Sequence, residues 1–590
     1  MPKRIAVLDR SKCTRQKCGY RCRKICPPVR MGIDAIVIDK EGWPVISEEL
    51  CTGCGLCPKI CPVDAIKIIN LVSEQGTLVF QYGVNTFRLY NLPFPKEGAV
   101  VGLLGPNGIG KTTALQLLSG QSKPNMGDYS HEREWGDIIA AFRGHEIQNY
   151  FKRLGGGEAR VALKPQAIDR IPDVFSGKVE ELLRRADERK VFESAVDEFG
   201  LRKFLERDIS QVSGGELQRI AIAAAWMKDA DVYYFDEPTS HLDIKQRMRI
   251  ARSLRRLAEG EKKSVMVVEH DLAVLDYLSD YAHVFFGVKG AYGVVSHLKA
   301  ARSGINEYLD GYLRDENTRI RDYSISFAVA SEVERKTPVA FSYPAMRKTL
   351  GDFSLRCEKG EVKKGEIIGM VGENAIGKTT MVKLLAGIER PDEGEPPGRA
   401  KIAYKPQYIK SDYVGTVQQL VLESNLDMEV FEGEVQRKLD MDELMHKEVQ
   451  HLSGGELQRV AIAITLSQRA DIYLFDEPSA FLDVEQRLNF ADVLRRLVEG
   501  MEKVAFVVDH DVVLIDSVCS RLIVFEGESS VRGLARSPES KRAGMNRFLK
   551  EMDLTLRRDR DTGRPRVNKP GSRMDREQRE AGEYYYYEAN

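Results

Sequence analysis

No stretch of this 590-residue chain approaches the ~18 uninterrupted apolar residues that a membrane-spanning helix requires, and the N-terminus MPKRIAVLDR lacks the apolar core of a secretory signal. A cytoplasmic location without membrane insertion is the expectation. Net charge is lacking too: 88 Lys and Arg offset 88 Asp and Glu, so whole-molecule charge points to no partner. Only local runs carry such information. Residues 1 to 30 hold ten basic side chains against the single acid Asp9, and residues 531 to 579 hold fifteen against seven. Cysteine is scarce beyond residue 61, where Cys357 and Cys519 stand alone and read as small buried hydrophobes. The other eight lie before residue 62, and in a reducing compartment that concentration points to metal ligation and away from disulfides.

The length exceeds what one hydrophobic core of ~250 to 300 residues serves, and the extra length is largely a duplication. GPNGIGKTT (105–113) returns as GENAIGKTT (372–380), KPQ (164–166) as KPQ (405–407), SGGELQR (213–219) as SGGELQR (453–459), FDEP (235–238) as FDEP (475–478), and EHD (269–271) as DHD (509–511). Lys111 precedes Gln166 by 55 positions but Lys378 precedes Gln407 by only 29, whereas the later intervals agree. The first half therefore carries an insert near 130–157. Within it Trp135, Ile138, Ile139 and Phe142 form one helical stripe and Ile147, Tyr150, Phe151 and Leu154 another, separated by Arg143-Gly144. A helix-loop-helix is predicted, serving either as a partner surface or as a hairpin packed on its own domain.

In each half an apolar run leads into G-x4-G-K-T and then an apolar-periodic helix. Gly105, Asn107, Gly108 and Gly110, and in the second half Gly372, Asn374 and Gly377, belong to loops whose backbone N–H groups face phosphates at a helix N-terminus. Lys111 and Lys378 reach the β- and γ-phosphates, Thr112 and Thr379 hold magnesium, and Thr113 and Thr380 follow in the helix. The strands DVYYFDEP and DIYLFDEP end in paired carboxylates: Asp236 and Asp476 suit the magnesium shell, and Glu237 and Glu477 polarise the attacking water. His270 and His510 end the next apolar strands, a position from which an imidazole contacts the γ-phosphate.

C-x2-C-x2-C-x3-C-P at Cys51, Cys54, Cys57 and Cys61 is a bacterial ferredoxin run, whose fourth cysteine ligates the other cluster in two-cluster proteins. By that rule Cys51, Cys54 and Cys57 pair with Cys26, and Cys13, Cys18 and Cys22 pair with Cys61, giving two [4Fe-4S] clusters. The spacings of the first run depart from the ferredoxin pattern. Two zinc sites are the alternative, although a triple spacing ending in Cys-Pro suits zinc poorly. No flavin or second redox motif accompanies the cysteines.

SGGELQR followed by an apolar helix resembles the signature of the ABC ATPase superfamily, and with the other motifs the resemblance spans residues 76 to 530. It implies an α/β fold with two P-loop nucleotide-binding domains head to tail, sandwiching two ATP and Mg2+. Lys111 then shares a site with Ser453 and Gly455, and Lys378 with Ser213 and Gly215. Gln166 and Gln407 sense magnesium and the γ-phosphate, and Asp243 and Asp483 lie in loops joining the sites. Tyr82 and Phe87 are candidates to stack on the first adenine, and Tyr343 on the second. Val212 stands where the second half has Leu452, and SHLD where it has AFLD, so unequal turnover is expected.

The whole order is 1–75 ferredoxin-like α+β iron-sulfur domain, 76–300 first nucleotide-binding domain with its insert, 301–335 hinge or connector, 336–530 second nucleotide-binding domain, and 531–590 basic C-terminal hinge or tail. It resembles the E-type ABC ATPases, the RNase L inhibitor homologues that act as ribosome-recycling factors. The resemblance implies a monomer that binds the ribosome after a release factor or its surveillance paralogue, splits it by ATP-driven closure, and stays on the small ribosomal subunit with links to initiation factors. Arg143, Lys152, Arg153 and Arg160 of the insert, the basic N-terminus and the Arg-rich tail offer contacts to rRNA phosphates. The last thirty residues read equally as a disordered arm. The cassettes alone also permit a transporter's ATPase subunit, and the clusters an ATP-gated electron carrier.

Overall fold

A computed structural model describes residues 4–8, 10, 12–47, 50–63, 65–70, 76–325, 327, 337–396, 400–407 and 413–585. Asp9, the expected boundary at 71–75, residues 328–336 of the connector and 586–590 of the tail lie outside the described residues. The chain forms two compact units: Met1–Pro238 with Arg252–Glu269 and Leu278–Ser324, and Thr239–Ala251 with His270–Tyr277 and Ile325–Asn590.

The first unit opens with the cysteine domain. Strand Arg4–Leu8 runs antiparallel to Ile66–Asn70, and Ile36–Ile38 to Pro44–Ile46, with short helices Arg21–Ile25, Pro27–Arg30 and Leu56–Ile60 between them. Successive residues of a strand face opposite sides. Ala6 and Leu8 therefore join Cys22, Cys57, Ile36 and Ile46 in the small core, while Ile5 and Val7 pack on Ala291, Val288 and Tyr292. Burying each aliphatic side chain contributes about 1.5–3 kcal/mol, so two residues on the outer face dock the small domain.

Each repeat is built on a nine-stranded sheet. In the first the order is Leu78–Gln81, Arg88–Tyr90, Tyr292–Val295, Tyr281–Val288, Val100–Leu104, Ser264–Val268, Val232–Asp236 and Val161–Lys164, with Lys299–Ala300 at the side. The second repeats this with Met346–Leu350, Phe353–Cys357, Arg532–Ala535, Arg521–Glu528, Ile367–Val371, Val504–Val508, Ile472–Asp476 and Ile402–Lys405, with Glu539–Ser540 at the side. The central strands are parallel and buried on both faces, which is why they read as unbroken apolar runs without alternation.

The insert forms helices Trp135–Ala141 and Ile147–Gly155. Ile138, Phe142, Ile147, Tyr150 and Phe151 are buried in the core of the first cassette, and Tyr234 Oη donates to Tyr150 Oη at 2.8 Å. Arg143 and Lys152 on its outer side are exposed, whereas Arg153 and Arg160 are drawn toward Asp231.

The C-terminal region corrects two sequence expectations. Strand Arg532–Ala535 lies inside the second sheet, so that cassette extends beyond residue 530. The last residues are also folded through Tyr585: helix Lys541–Glu551, a hairpin of Leu556–Arg558 with Pro565–Val567, and helix Arg573–Ala581. Their arginines are largely neutralised internally. Arg564 is fully buried 3.4 Å from Asp276, Arg566 lies 2.5 Å from Asp276 and 3.2 Å from Asp559, and Arg558 lies 3.1 Å from Asp516. The acids come from remote positions, which a local charge balance cannot register.

Candidate nucleotide and cluster sites

Both phosphate loops close over their lysine. Lys111 Nζ donates to the carbonyls of Gly105 and Pro106 at 2.8 Å, and Lys378 Nζ to those of Gly372 and Glu373 at 2.9 and 2.6 Å. Both lysines are buried, and burial pushes Lys378 down to about 8. Helices Lys111–Leu118 and Lys378–Leu385 start from Gly110 and Gly377, whose left-handed φ values are 98° and 103°. A side chain there would also collide with an aromatic ring: a Cβ on Gly110 would lie 2.7 Å from Phe87 Cζ, and one on Gly377 3.0 Å from Phe353 Cζ.

Thr112 Oγ1 donates to Asp236 Oδ2 at 2.8 Å. Asp236 Oδ1 and both carboxylate oxygens of Asp476 are buried without a hydrogen-bond partner, and the nearby Thr379 hydroxyl partly offsets the effect of burial on Asp476. Burial, foremost, pushes both aspartates up to about 6, with Glu237 and Glu477 adding to it. A buried carboxylate left without donors is suited to a hard cation, so these residues fit the magnesium of a nucleotide complex.

One residue on, Glu237 and Glu477 occupy the left-handed region at φ 47° and 48°. Each N–H donates to the adjacent strand, Glu237 to Val268 O at 3.0 Å and Glu477 to Val508 O at 2.8 Å. Each carboxylate accepts from a glutamine at 2.8 Å, Glu237 from Gln166 and Glu477 from Gln407. The turn thus aims both glutamates out of the sheet. His270 and His510 are buried at the ends of the neighbouring strands; His510 Nε2 is 3.7 Å from Glu477 Oε1, and burial pushes its pKa well below the ordinary histidine value, so it is neutral.

Ser213 and Ser453 cap helices Gly214–Trp226 and Gly454–Ser467, each in a reciprocal box with Glu216 or Glu456, and both serines are exposed. An exposed N-terminus of a long helix favours an anion, and Gly215 and Gly455 lie in its first turn.

The eight N-terminal cysteines separate into two groups. Cys13, Cys18, Cys22 and Cys61 line one cavity, and Cys26, Cys51, Cys54 and Cys57 line another. Backbone N–H groups point at their sulfurs: Ala65 at Cys61 (3.3 Å), Arg15 at Cys13 (3.4 Å), and Ala6 and Gly53 at Cys51 (3.4 and 3.5 Å). Such donors stabilise thiolates. Burial pushes the Cys22 and Cys57 thiols up to about 11 and 12, a cost that a bound cation offsets. The sulfurs surround space and do not converge: among the described residues no three His, Cys, Asp or Glu side chains are grouped for a single ion.

Comparison with known proteins agrees with both halves of this geometry. Residues 94–240 and 357–480 match the ABC transporter family, and residues 44–67 the 4Fe-4S binding domain. The chain is 45% identical to the translation initiation factor RLI1 of Saccharomyces cerevisiae, over 99% of this chain and 98% of that one. It superposes on a ribosome-bound archaeal Pelota and ABCE1 assembly with TM-score 0.92 and 52% identity, covering 99% of both chains. It also superposes, at TM-score 0.83 and 54% identity over 87% of this chain and 99% of that one, on an archaeal ribosome recycling factor complexed with the ribosomal stalk protein aP1. The chain belongs to the E family of ABC ATPases, the RNase L inhibitor homologues. It is an ATPase with an iron-sulfur domain. Among its described residues no helix is long and apolar enough to cross a membrane.

Within this E-family chain the two repeats differ where they matter. In the second unit the segment Thr239–Ala251 lies against the second phosphate loop: Asp243 Oδ2 accepts from Asn374 N–H at 3.2 Å, and Lys245 pairs with Glu373 at 2.6 Å. His241 and Phe481, the very positions at which SHLD and AFLD differ, meet edge to face at 5.3 Å. Asp243 and Asp483 are buried and accept from the N–H of Gln246 and Gln486, which starts the helices that follow. The second loop places Ala375 at φ 56°, where the first has Gly108 at 73°.

The adenine candidates need one correction. Tyr82 is exposed, its hydroxyl 2.9 Å from Thr113 Oγ1, and Phe87 borders the first phosphate loop. Tyr343 is buried in the second cassette's core against Gly360 and has no free ring face for a base. Phe353 holds the position equivalent to Phe87. The repeat carried the signal, since Phe87 precedes Lys111 by 24 residues and Phe353 precedes Lys378 by 25.

Proposed function

We propose that this chain is an ATP-driven ribosome-recycling factor, which splits ribosomes into subunits after a release factor or its surveillance paralogue has acted. The observation that carries the reading is the union, in one chain, of two complete ATP sites with a small domain whose eight cysteines form two four-thiol cavities. A transporter's ATPase subunit has no use for such a domain. The relatives of the same architecture include one described as ribosome-bound and one as a ribosome recycling factor.

In this reading each phosphate loop works with the signature of the other repeat, Lys111 with Ser453 and Lys378 with Ser213. Thr112 with Asp236, and Thr379 with Asp476, hold Mg2+, which neutralises charge on the transferring phosphoryl group. Glu237 and Glu477 orient and deprotonate the attacking water, Gln166 and Gln407 steer them, and His270 and His510 offer a ring nitrogen to the γ-phosphate. The two cavities each hold one [4Fe-4S] cluster, and these cross-link a domain too small to stabilise itself by burial alone. Exposed Arg143 and Lys152 of the insert face rRNA phosphates on the small subunit. The protein works as a monomer and hands the small subunit on to initiation factors.

Two measurements test this. Purified protein sedimented with ribosomes and subunits comigrates with the small subunit when a non-hydrolysable ATP analogue is present, and more weakly without it. Absence from the ribosomal fractions in both states would remove the proposal. At the second ATP site, Phe353→Ala weakens nucleotide binding about 10-fold, because base stacking on an aromatic ring contributes ~1–3 kcal/mol. Tyr343→Phe leaves that affinity unchanged in the same equilibrium titration.

A further inference from the structure

The lysines that open the two repeated KPQ segments sit beneath the turns that carry Glu237 and Glu477. Lys164 and Lys405 end the edge strands Val161–Lys164 and Ile402–Lys405, each in parallel register beside the strand that carries the paired carboxylates. They are 1% and 0% exposed. Lys164 Nζ donates to the carbonyl of Asp236 at 2.8 Å and to that of Glu237 at 3.3 Å; Lys405 Nζ donates to those of Asp476 and Glu477 at 2.8 and 3.1 Å. The carbonyl of each glutamate accepts a second bond from a signature-helix glutamine, Gln218 at 2.6 Å and Gln458 at 2.8 Å.

Burying an ammonium is costly, and an apolar side chain of similar volume ordinarily fills such a place at less expense. Both repeats nevertheless use lysine with the same two acceptors. The acceptors are consecutive carbonyls of a turn whose second residue is held at φ 47° or 48°, a region that non-glycine residues occupy only under restraint. The N–H of that residue is tied to the adjacent strand and its carbonyl to lysine and glutamine, so the peptide is held from both sides.

We infer that Lys164 and Lys405 are positioning residues for hydrolysis: each ammonium locks the turn that presents Glu237 or Glu477 to water, and its charge lies beneath the adjacent carboxylates. The lysines direct their hydrogen bonds to the acid turns, whereas the phosphate loops are closed by Lys111 and Lys378, so the effect of Lys164 and Lys405 falls on the chemical step and spares ATP binding. The inference rests on the assignment of Glu237 and Glu477 as the groups that polarise water.

The test is full-length protein with Lys164→Met and Lys405→Met, singly and together, beside Glu237→Gln and Glu477→Gln. The double Met variant is expected to bind a fluorescent ATP analogue within about 3-fold of the parent, while kcat falls about 10- to 100-fold at an unchanged KM. That split marks an interaction made mainly in the transition state. Lys164→Ala with Lys405→Ala is expected to regain part of the lost rate when n-butylamine is supplied, which a packing role alone does not produce. Parental kcat in the Met variants, or kcat lost only together with nucleotide affinity, overturns the inference. If the Met variants do not fold, Lys164→Gln with Lys405→Gln decides by the same two criteria. Parental rates in the glutamate variants would instead remove the assignment on which the inference rests.

Discussion

Glu237→Gln and Glu477→Gln combined reduce ATP turnover at least about 100-fold while ATP remains bound. A positioned general base contributes ~10²–10⁴-fold to a rate. Glutamine preserves the size of the side chain and its proximity to Gln166 or Gln407, but cannot take a proton from water. The phosphate-loop lysines keep their hydrogen bonds to the carbonyls of Gly105 and Pro106 or of Gly372 and Glu373 in the glutamine variants, so ATP binding is expected to persist. Phosphate release at saturating ATP measures the first effect and filter retention of labelled ATP the second. The single variants need not match, because the repeats differ at His241 and Phe481 and at Gly108 and Ala375. Turnover at the parental rate in the double variant would show that another group activates water.

Cysteine substitution has the second large effect, and it falls in pairs. Cys13→Ser and Cys61→Ser deplete one cluster, and Cys26→Ser and Cys57→Ser the other, because each pair lines a single cavity. With two [4Fe-4S] clusters the parent carries about eight irons per chain, and each substitution removes about four, with a matching loss of visible absorbance. Cys22 and Cys57 also belong to the core of the small domain, so cluster loss lowers its unfolding temperature as well. Metal analysis finding zinc in place of iron would end the cluster assignment. Depletion that follows neighbours in sequence, with Cys57 grouped with Cys61, would end the pairing.

That pairing shows how far local pattern reaches. Cys61 lies in the same short run as Cys57, yet Cys57 sits inside helix Leu56–Ile60 and faces one cavity while Cys61, just past the helix end, lines the other. The helix ends before Cys61, whose extended backbone turns the chain away from the face that Cys57 occupies. Tyr343 illustrates the opposite case. An aromatic near the start of a cassette looks like a base-stacking residue, but whether its ring is open depends on Gly360 packing against it from the paired strand. Phe353, spaced correctly in the repeat, was the better signal.

What the amino-acid sequence determined by itself is the chemistry: two phosphate loops, two acid pairs, two signature serines and eight clustered cysteines, all set by short-range geometry in which a few consecutive residues form a loop, a turn or a helix cap. Helix periodicity likewise disclosed the insert, because Ile138, Phe142, Ile147 and Phe151 recur on the faces they bury. Only the tertiary structure decided what depends on residues far apart. It turned the fifteen basic side chains near the C-terminus from an apparent nucleic-acid tail into a folded element, since Asp276 reaches Arg564 and Arg566 across hundreds of residues of chain and Asp516 reaches Arg558 across 42. It extended the second cassette past residue 530 through strand Arg532–Ala535, and it placed Lys164 and Lys405 under the turns that carry Glu237 and Glu477. Charge pairing and burial are properties of neighbours in space, and a linear pattern records only neighbours in sequence.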